Sequence, residues 1–157
     1  MESRWEDLVS FLQRAKKNTF ASRIRVPKKN RDGSKEYYYS EGNFEYIDKY
    51  YGSTVDTGKE LVFHNEKLLW SMSYRGGMKS HKELQRRCFS FLKKALRDPP
   101  KDFPVRGPKN FKLRDFKYRN NYDGSLLDFI GREEIFWRGT RIYLRDYFGG
   151  VAVINRG

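Results

Sequence analysis

The sequence predicts an α+β fold, built as an internally duplicated α-β-β-β-β unit with antiparallel sheets, two helices and a pseudo-twofold axis. Three observations predict it. A phrase at residues 58–77 recurs at residues 131–150, an apolar stripe with helical spacing precedes each copy, and aromatic and β-branched segments follow each stripe. Since halves of this size are too small to be independent, we expect a single domain over residues 1–157, made of two structural repeats at about 1–78 and 79–157.

The recurring phrase is "GKELVFHNEKLLWSMSYRGG" at residues 58–77 and "GREEIFWRGTRIYLRDYFGG" at residues 131–150. The two copies are identical at six positions, which include Gly58/Gly131, Glu60/Glu133 and Tyr74/Tyr147. Upstream, "NFEY" matches "DFKY" and "SFLQRA" matches "SFLKKA", in the same order along the chain. This shared order predicts an internal duplication.

Each half begins with a predicted amphipathic helix. In the first, Ser3 and Glu6 have the spacing of a capping box, and in the second Ser80 and Glu83 repeat it. Two prolines after Asp98 end the second helix, because proline has no backbone donor. The apolar stripes consist of Trp5, Leu8, Val9, Leu12 and Ala15 in the first helix and of Leu84, Cys88, Phe91, Leu92 and Ala95 in the second.

Strands are predicted from aromatic and β-branched content. They lie near residues 36–40, 43–51, 59–65 and 67–75, and again near 109–113, 115–122, 132–138 and 141–148. Residues 151–154 add a possible last strand. Two hairpins turn at Asn65-Glu66 and at Arg138-Gly139. The pattern leaves open whether the strands form two sheets or one.

The phrases "NFEYIDKYYG", "GKELVF", "WSMSYRGG", "SFLKKAL", "FPVRGPKNF", "DFKY", "GREEIF" and "YFGG" occur in an order that resembles an uncharacterised prokaryotic domain family. Its members stand alone or follow a Cro/repressor-type helix-turn-helix domain. The resemblance implies a ligand-sensing or regulatory module in the fused members, and it carries over no catalytic residues. This sequence differs from the fused members in its basic charge and in showing no helix-turn-helix pattern.

The charge of the chain predicts an anionic partner. The formal net charge is +13, and 34% of the residues are charged. A field of this sign attracts polyanions, with nucleic acid as the first candidate and acidic membrane surfaces as the second. The same charge can also serve solubility or match an acidic partner protein. Neither a signal peptide nor a membrane span is predicted, and the single cysteine, Cys88, leaves no disulfide or zinc knuckle. We therefore expect a cytoplasmic protein with no metal, no cofactor and no membrane partner; the oligomeric state is not predicted.

Basic loops are the first candidates for anion binding. "RVPK" at 25–28 and "RGPK" at 106–109 occupy matching places, and together they could straddle a phosphate backbone. The candidate residues are Arg23, Arg25, Lys28, Lys29, Arg106, Lys109, Lys112, Arg86 and Arg87. A weaker candidate is an anion site at the start of the second helix, formed by Gly76, Gly77, Lys79 and Ser80.

An aromatic layer is the second candidate. Its residues alternate along one strand of each half and are Trp70, Met72, Tyr74, Tyr143 and Tyr147. Such side chains fill a core, stack bases as in single-strand-binding sheets, or line a small-molecule pocket; core packing is favoured.

Catalysis has little support in the sequence. Glu60 and Glu133 could divide acid and base work, but their positions at strand starts favour a structural role. Neither His64 nor His81 has a ligand-spaced partner. The leading prediction is therefore a non-catalytic regulatory protein that binds nucleic acid through its basic loops. A small-molecule sensor with an aromatic pocket between the repeats is the alternative, and an enzyme of unrecognised type is the third.

Overall fold

A computed structural model describes residues 2–22 and 25–152 of the chain. It contains two helices, one short 3-10 turn at Lys82–Leu84, and nine strands. The helices are α1 (Glu2–Lys17) and α2 (Gln85–Ala95). The strands are β1 (Lys28–Lys29), β2 (Lys35–Glu41), β3 (Phe44–Gly52), β4 (Val55–His64), β5 (Lys67–Gly77), β6 (Asn110–Leu113), β7 (Phe116–Ser125), β8 (Asp128–Trp137) and β9 (Thr140–Val151).

All nine strands belong to one antiparallel sheet, in the order β1-β2-β3-β4-β5-β9-β8-β7-β6. The predicted architecture, an internally duplicated α-β-β-β-β unit with antiparallel sheets about a pseudo-twofold axis, is therefore wrong. Five strands follow α1 and four follow α2, and they share a single sheet. The broader α+β class agrees with the structure.

The sheet is continuous because β5 and β9 pair along their length. Their register runs from Trp70 opposite Val151 to Gly77 opposite Leu144. In two separate sheets each of these strands would expose a row of unpaired backbone donors and acceptors. At the outer edges the sheet ends in short strands, and β1 consists of only Lys28 and Lys29. Short, charged edges of this kind discourage pairing with another chain.

The core lies between the helices and one face of the sheet. On α1, the predicted stripe residues Leu8, Leu12 and Ala15 are fully buried. The whole second predicted stripe is also buried, from Leu84 in the 3-10 turn to Ala95 at the end of α2. Both stripes are thereby confirmed, and neither helix among the described residues has the length and apolar content to cross a bilayer.

The predicted hairpin turns at Asn65-Glu66 and Arg138-Gly139 are confirmed, with positive φ at all four residues. Strands occur at the eight main predicted locations, but the possible last strand at 151–154 is not a separate element, because Val151 ends β9 and Ala152 lies outside any strand. The start of α2 differs, because the 3-10 turn precedes it and Ser80 bonds the His81 ring instead of capping the helix. The Ser3 side chain and residues 153–154 lie outside the described part of the chain.

Candidate functional site

The two faces of the sheet are different. Side chains alternate along each strand, so the residues between the buried ones point away from the helices. We call that side the open face. On it, seven strands (β2, β3, β4, β5, β7, β8 and β9) line a concave groove of about 1350 Å³. Within the described residues no element packs over it.

The centre of the groove is apolar and exposed. Four residues form one row across neighbouring strands: Lys59 on β4, Ser73 on β5, Phe148 on β9 and Ile130 on β8. Phe148 is 61% exposed and Ile130 is 62% exposed. Large apolar side chains that share an exposed concave surface usually mark a binding site.

Cations surround this apolar centre. The cationic side chains that line the groove are Lys49, Lys59, Arg75, Lys109 and Arg132, against the acids Glu36, Asp123 and Asp146. Some are already paired: Arg132 binds Asp146 at 2.7 Å and Lys49 lies 3.5 Å from Asp32. The side chains of Lys59 and Arg75, both exposed, make no ion pair or hydrogen bond within residues 2–22 and 25–152.

A second basic surface continues the open face at the β6–β8 end of the sheet. It is a cavity of about 410 Å³. Its cations are Lys112, Arg114, Lys117, Arg119 and Arg138, and its one acid is Asp115. Lys112 and Lys117 lie directly opposite each other on neighbouring strands, a like-charge arrangement that destabilises a sheet unless an anion lies nearby. We call this surface the basic patch.

Beneath the helices, the covered face contains buried ionic clusters. Glu60 is 1% exposed, lies 2.9 Å from Lys16 Nζ on α1, and accepts a hydrogen bond from the Tyr46 hydroxyl. Lys16 also donates to the carbonyl of Val105. Burial lowers the pKa of Lys16, although Glu60 opposes this. The cluster attaches α1 to the sheet.

Glu133 is the centre of a second buried ionic cluster on the covered face. Its two oxygens accept hydrogen bonds from Arg106 Nε at 2.9 Å and Nη2 at 2.8 Å, and the Tyr118 hydroxyl donates at 2.6 Å. Burial by itself would raise the pKa of Glu133, but Arg106 and Arg145 outweigh it and the pKa is lowered. Both Glu60 and Glu133 are thus buried and held by several donors, as the favoured structural interpretation predicts.

Several of the predicted anion-binding residues lie apart from one another. Arg23 is outside the described residues. Arg25 is exposed and donates to the carbonyl oxygen of Tyr38 at 3.1 Å. Lys28 and Lys29 form the exposed edge strand β1.

Arg106 is placed where it cannot meet a surface phosphate. Its side chain is 8% exposed and bound to Glu133, so the expected pair of basic turns does not exist on the surface. Lys109 is exposed and lines the groove, and Lys112 lines the basic patch. The exposed Arg86 and Arg87 lie on α2, on the opposite side of the sheet from the groove.

The residues of the expected helix-start site belong to a strand and a bend. Gly76 and Gly77 belong to β5 and pair with residues of β9. Lys79 and Ser80 follow in the bend after β5. Helix α2 begins only at Gln85, after the 3-10 turn. The glycine backbone is therefore not arranged around a helix N-terminus.

All residues of the predicted aromatic layer are buried on the covered face. Trp70 and Met72 are fully buried, and the Trp70 indole donates to the carbonyl of Leu126 at 2.9 Å. Tyr74, Tyr143 and Tyr147 are each at most 8% exposed. The layer is core, and the rings available for stacking lie on the other face.

The groove residues Lys59, Arg75, Ile130 and Phe148 were not among the sequence candidates. The strand alternation could have indicated them, because each is adjacent in sequence to a core residue and therefore points to the opposite face of the sheet. The alternation does not show which face the helices cover. Consequently the exposed positions could not be identified before the fold was known.

The fold and the groove define an α+β module with one nine-stranded antiparallel sheet and an open, cationic sheet face. The chain belongs to the family described as Domain of unknown function (DUF5680), whose model matches residues 48–152. This confirms the resemblance to an uncharacterised domain family. Comparison with curated proteins and with solved structures gave no match.

Proposed function

We propose that this protein binds single-stranded nucleic acid in the groove of the open face. The observation that supports this best is the centre of the groove, where the unpaired cations Lys59 and Arg75 lie beside the exposed side chains of Phe148 and Ile130. Cations that track a backbone and rings that stack on bases are the two elements of non-specific single-strand binding.

Charge supports a polyanionic ligand over a neutral one. The chain has a net charge of +13, and the basic patch extends the cations of the groove towards the β6 edge. A strand lying along the open face would meet Lys59 and Arg75 at its centre and Lys112 and Lys117 at its end. An anion between Lys112 and Lys117 would relieve their repulsion.

Exposed rings support a single strand over a duplex. Phe148 and Tyr51, which is 44% exposed, both line the groove and offer faces to unpaired bases. The bases of a duplex are stacked on one another and cannot use such rings without being unpaired. Since phosphate contacts carry no sequence information, weak sequence preference and strong salt dependence are expected.

The proposed role is regulation through binding. It would take place in the cytoplasm, where the nucleic acid of a prokaryotic cell lies. The association with repressor-type helix-turn-helix domains, which the resemblance implies for fused members of the family, supports regulation. An acidic protein is the competing partner, because it would use the same cations without the need for exposed rings.

Fluorescence anisotropy with labelled single-stranded DNA and RNA and with duplex DNA tests the proposal across a range of salt. The variant K59A/R75A removes two unpaired cations from the centre of the groove, and R86A/R87A removes the same charge from α2 as a matched control. The groove variant should bind about tenfold more weakly, and its slope of log K against log salt should be shallower by roughly 1.4, for two lost phosphate contacts. F148A should weaken single-strand binding at all salt concentrations.

Two results would contradict the proposal. One is no binding to any of these nucleic acids even at low salt, which would favour an acidic protein partner. The other is an equal loss of affinity in K59A/R75A and R86A/R87A, which would mean that total charge and not the groove determines binding.

A further inference from the structure

A third, smaller cavity lies on the covered side of the sheet, between α2 and strands of the first part of the chain. Its volume is about 350 Å³, which is at the lower end of the range for small-molecule sites. Five aromatic rings contribute to its walls, those of Phe20, Tyr37, Tyr50, Tyr74 and Phe89. Leu92 and Leu96 of α2 complete the apolar lining.

Two buried arginines line this cavity. Arg106 is 8% exposed and Arg145 is 5% exposed. Both lie against Glu133, with Arg106 Nη2 2.8 Å and Arg145 Nε 3.8 Å from the same oxygen. The cavity therefore has two guanidinium groups close together, although like charges repel each other.

Each arginine has one terminal nitrogen to spare. Arg106 uses Nε and Nη2 for Glu133, and Arg145 uses Nε for the Tyr143 hydroxyl at 2.7 Å and Nη1 for Asp56 at 2.6 Å. Arg106 Nη1 and Arg145 Nη2 make no hydrogen bond to any described residue, and neither is sealed away from the cavity. These two accessible guanidinium groups have no acceptor among the described residues for their free N–H donors, so a ligand that enters the cavity can supply one.

The other charged groups of the cavity favour an anion. Four cations line it, Lys35, Lys93, Arg106 and Arg145, against the acids Asp48 and Asp56. Asp56 is already bound to Arg145. Burial, and then the Glu60 carboxylate, raise the pKa of Asp48 to about 7, so near neutral pH this carboxyl is in part uncharged and can itself donate to an anionic oxygen.

We propose that this cavity binds a small aromatic carboxylate, with its carboxylate on the free nitrogens of Arg106 and Arg145 and its ring among the aromatic walls. Two guanidinium N–H groups match the two oxygens of a planar carboxylate. Tyr50 of β3 and Phe89 of α2 are among the lining residues that would contact the ring. The site is separate from the groove, and it does not depend on the nucleic-acid proposal.

Isothermal titration calorimetry of the full chain with benzoate, and with benzamide as the uncharged control, tests this. Benzoate should bind saturably with one site per chain, and benzamide should bind at least about tenfold more weakly. R145K removes the free Nη2 while it keeps the charge, and it should weaken benzoate binding by about tenfold. F89W fills the cavity without changing a charge, and it should abolish benzoate binding. This variant tests the site independently if R145K does not fold.

The groove variant K59A/R75A should bind benzoate as the unmodified protein does, so that failure of one proposal is distinguishable from failure of the other. Three outcomes would overturn the inference: no saturable heat with benzoate up to about 10 mM, equal binding of benzoate and benzamide, or unchanged benzoate binding in F89W. Equal binding of inorganic phosphate would overturn the aromatic part of the assignment.

Discussion

Replacing Asp48 by asparagine tests the energetics of the buried ionic cluster. Asp48 is 6% exposed, lies directly opposite Glu60 on the neighbouring strand, and accepts a hydrogen bond from the Tyr74 hydroxyl. Burial is the largest cause that raises its pKa, and the Glu60 carboxylate is the second; Lys16 and Arg106 oppose them. The pKa rises from the usual 3.8 to about 7.

The sign of the effect follows from proton linkage. Between 3.8 and 7 the folded protein keeps a proton on Asp48 that the unfolded chain has lost, so the free energy of unfolding falls as the pH rises. Each pH unit costs about 1.4 kcal/mol, which gives about 4 kcal/mol over the interval. Asparagine does not ionise, and its side-chain oxygen can still accept the Tyr74 hydrogen bond.

We therefore expect D48N to match the unmodified protein near pH 4 and to be more stable by up to about 4 kcal/mol near pH 8. Urea unfolding at a series of pH values, followed by circular dichroism, measures this difference. D98N, at an exposed position, provides the matched carboxylate-to-amide control. A D48N variant that is less stable near pH 8 would refute the reasoning, since it would mean that Lys16 and Arg106 stabilise an ionised Asp48.

Three further predictions follow from individual contacts. E133A leaves the buried Arg106 guanidinium without its carboxylate and should cost about 3–5 kcal/mol in urea unfolding; a loss below 1 kcal/mol would contradict the buried pair. In G131A the new Cβ would lie 2.2 Å from Cζ of Tyr147, so the melting temperature should fall, and an unchanged value would show that the ring moves freely. Cys88 is fully buried and burial raises its pKa to about 12, so a thiol reagent should label it only after denaturation; prompt labelling of the folded protein would contradict this.

The contacts of Gly131 and Glu133 also explain much of the recurring phrase. Gly58 and Gly131 lie opposite Tyr74 and Tyr147, whose rings cover the glycines. Glu60 and Glu133 each accept a hydrogen bond from a tyrosine of the preceding strand. The letters shared by residues 58–77 and 131–150 therefore record similar local contacts. They did not predict the number of sheets.

Much of the site could not be predicted from the sequence, because the fold decides which charged side chains are paired and which are free. The net charge of +13 indicates an anionic partner, but it does not show which cations are free. Arg106 is buried on Glu133, whereas Lys59, an ordinary strand residue in the sequence, is exposed at the centre of the groove. Whether a cation is paired depends on residues far away in the chain.

By itself the sequence determined the local features of this protein. The helical stripes from Leu8 to Ala15 and from Leu84 to Ala95, the turn at Asn65-Glu66 and the strand positions all follow from periods and turn residues that act over a few positions. Only the tertiary structure decided that β5 pairs with β9 and which face of the sheet the helices cover. Both depend on contacts between residues distant in sequence, and a strand that alternates between two faces satisfies its local pattern whichever face is buried.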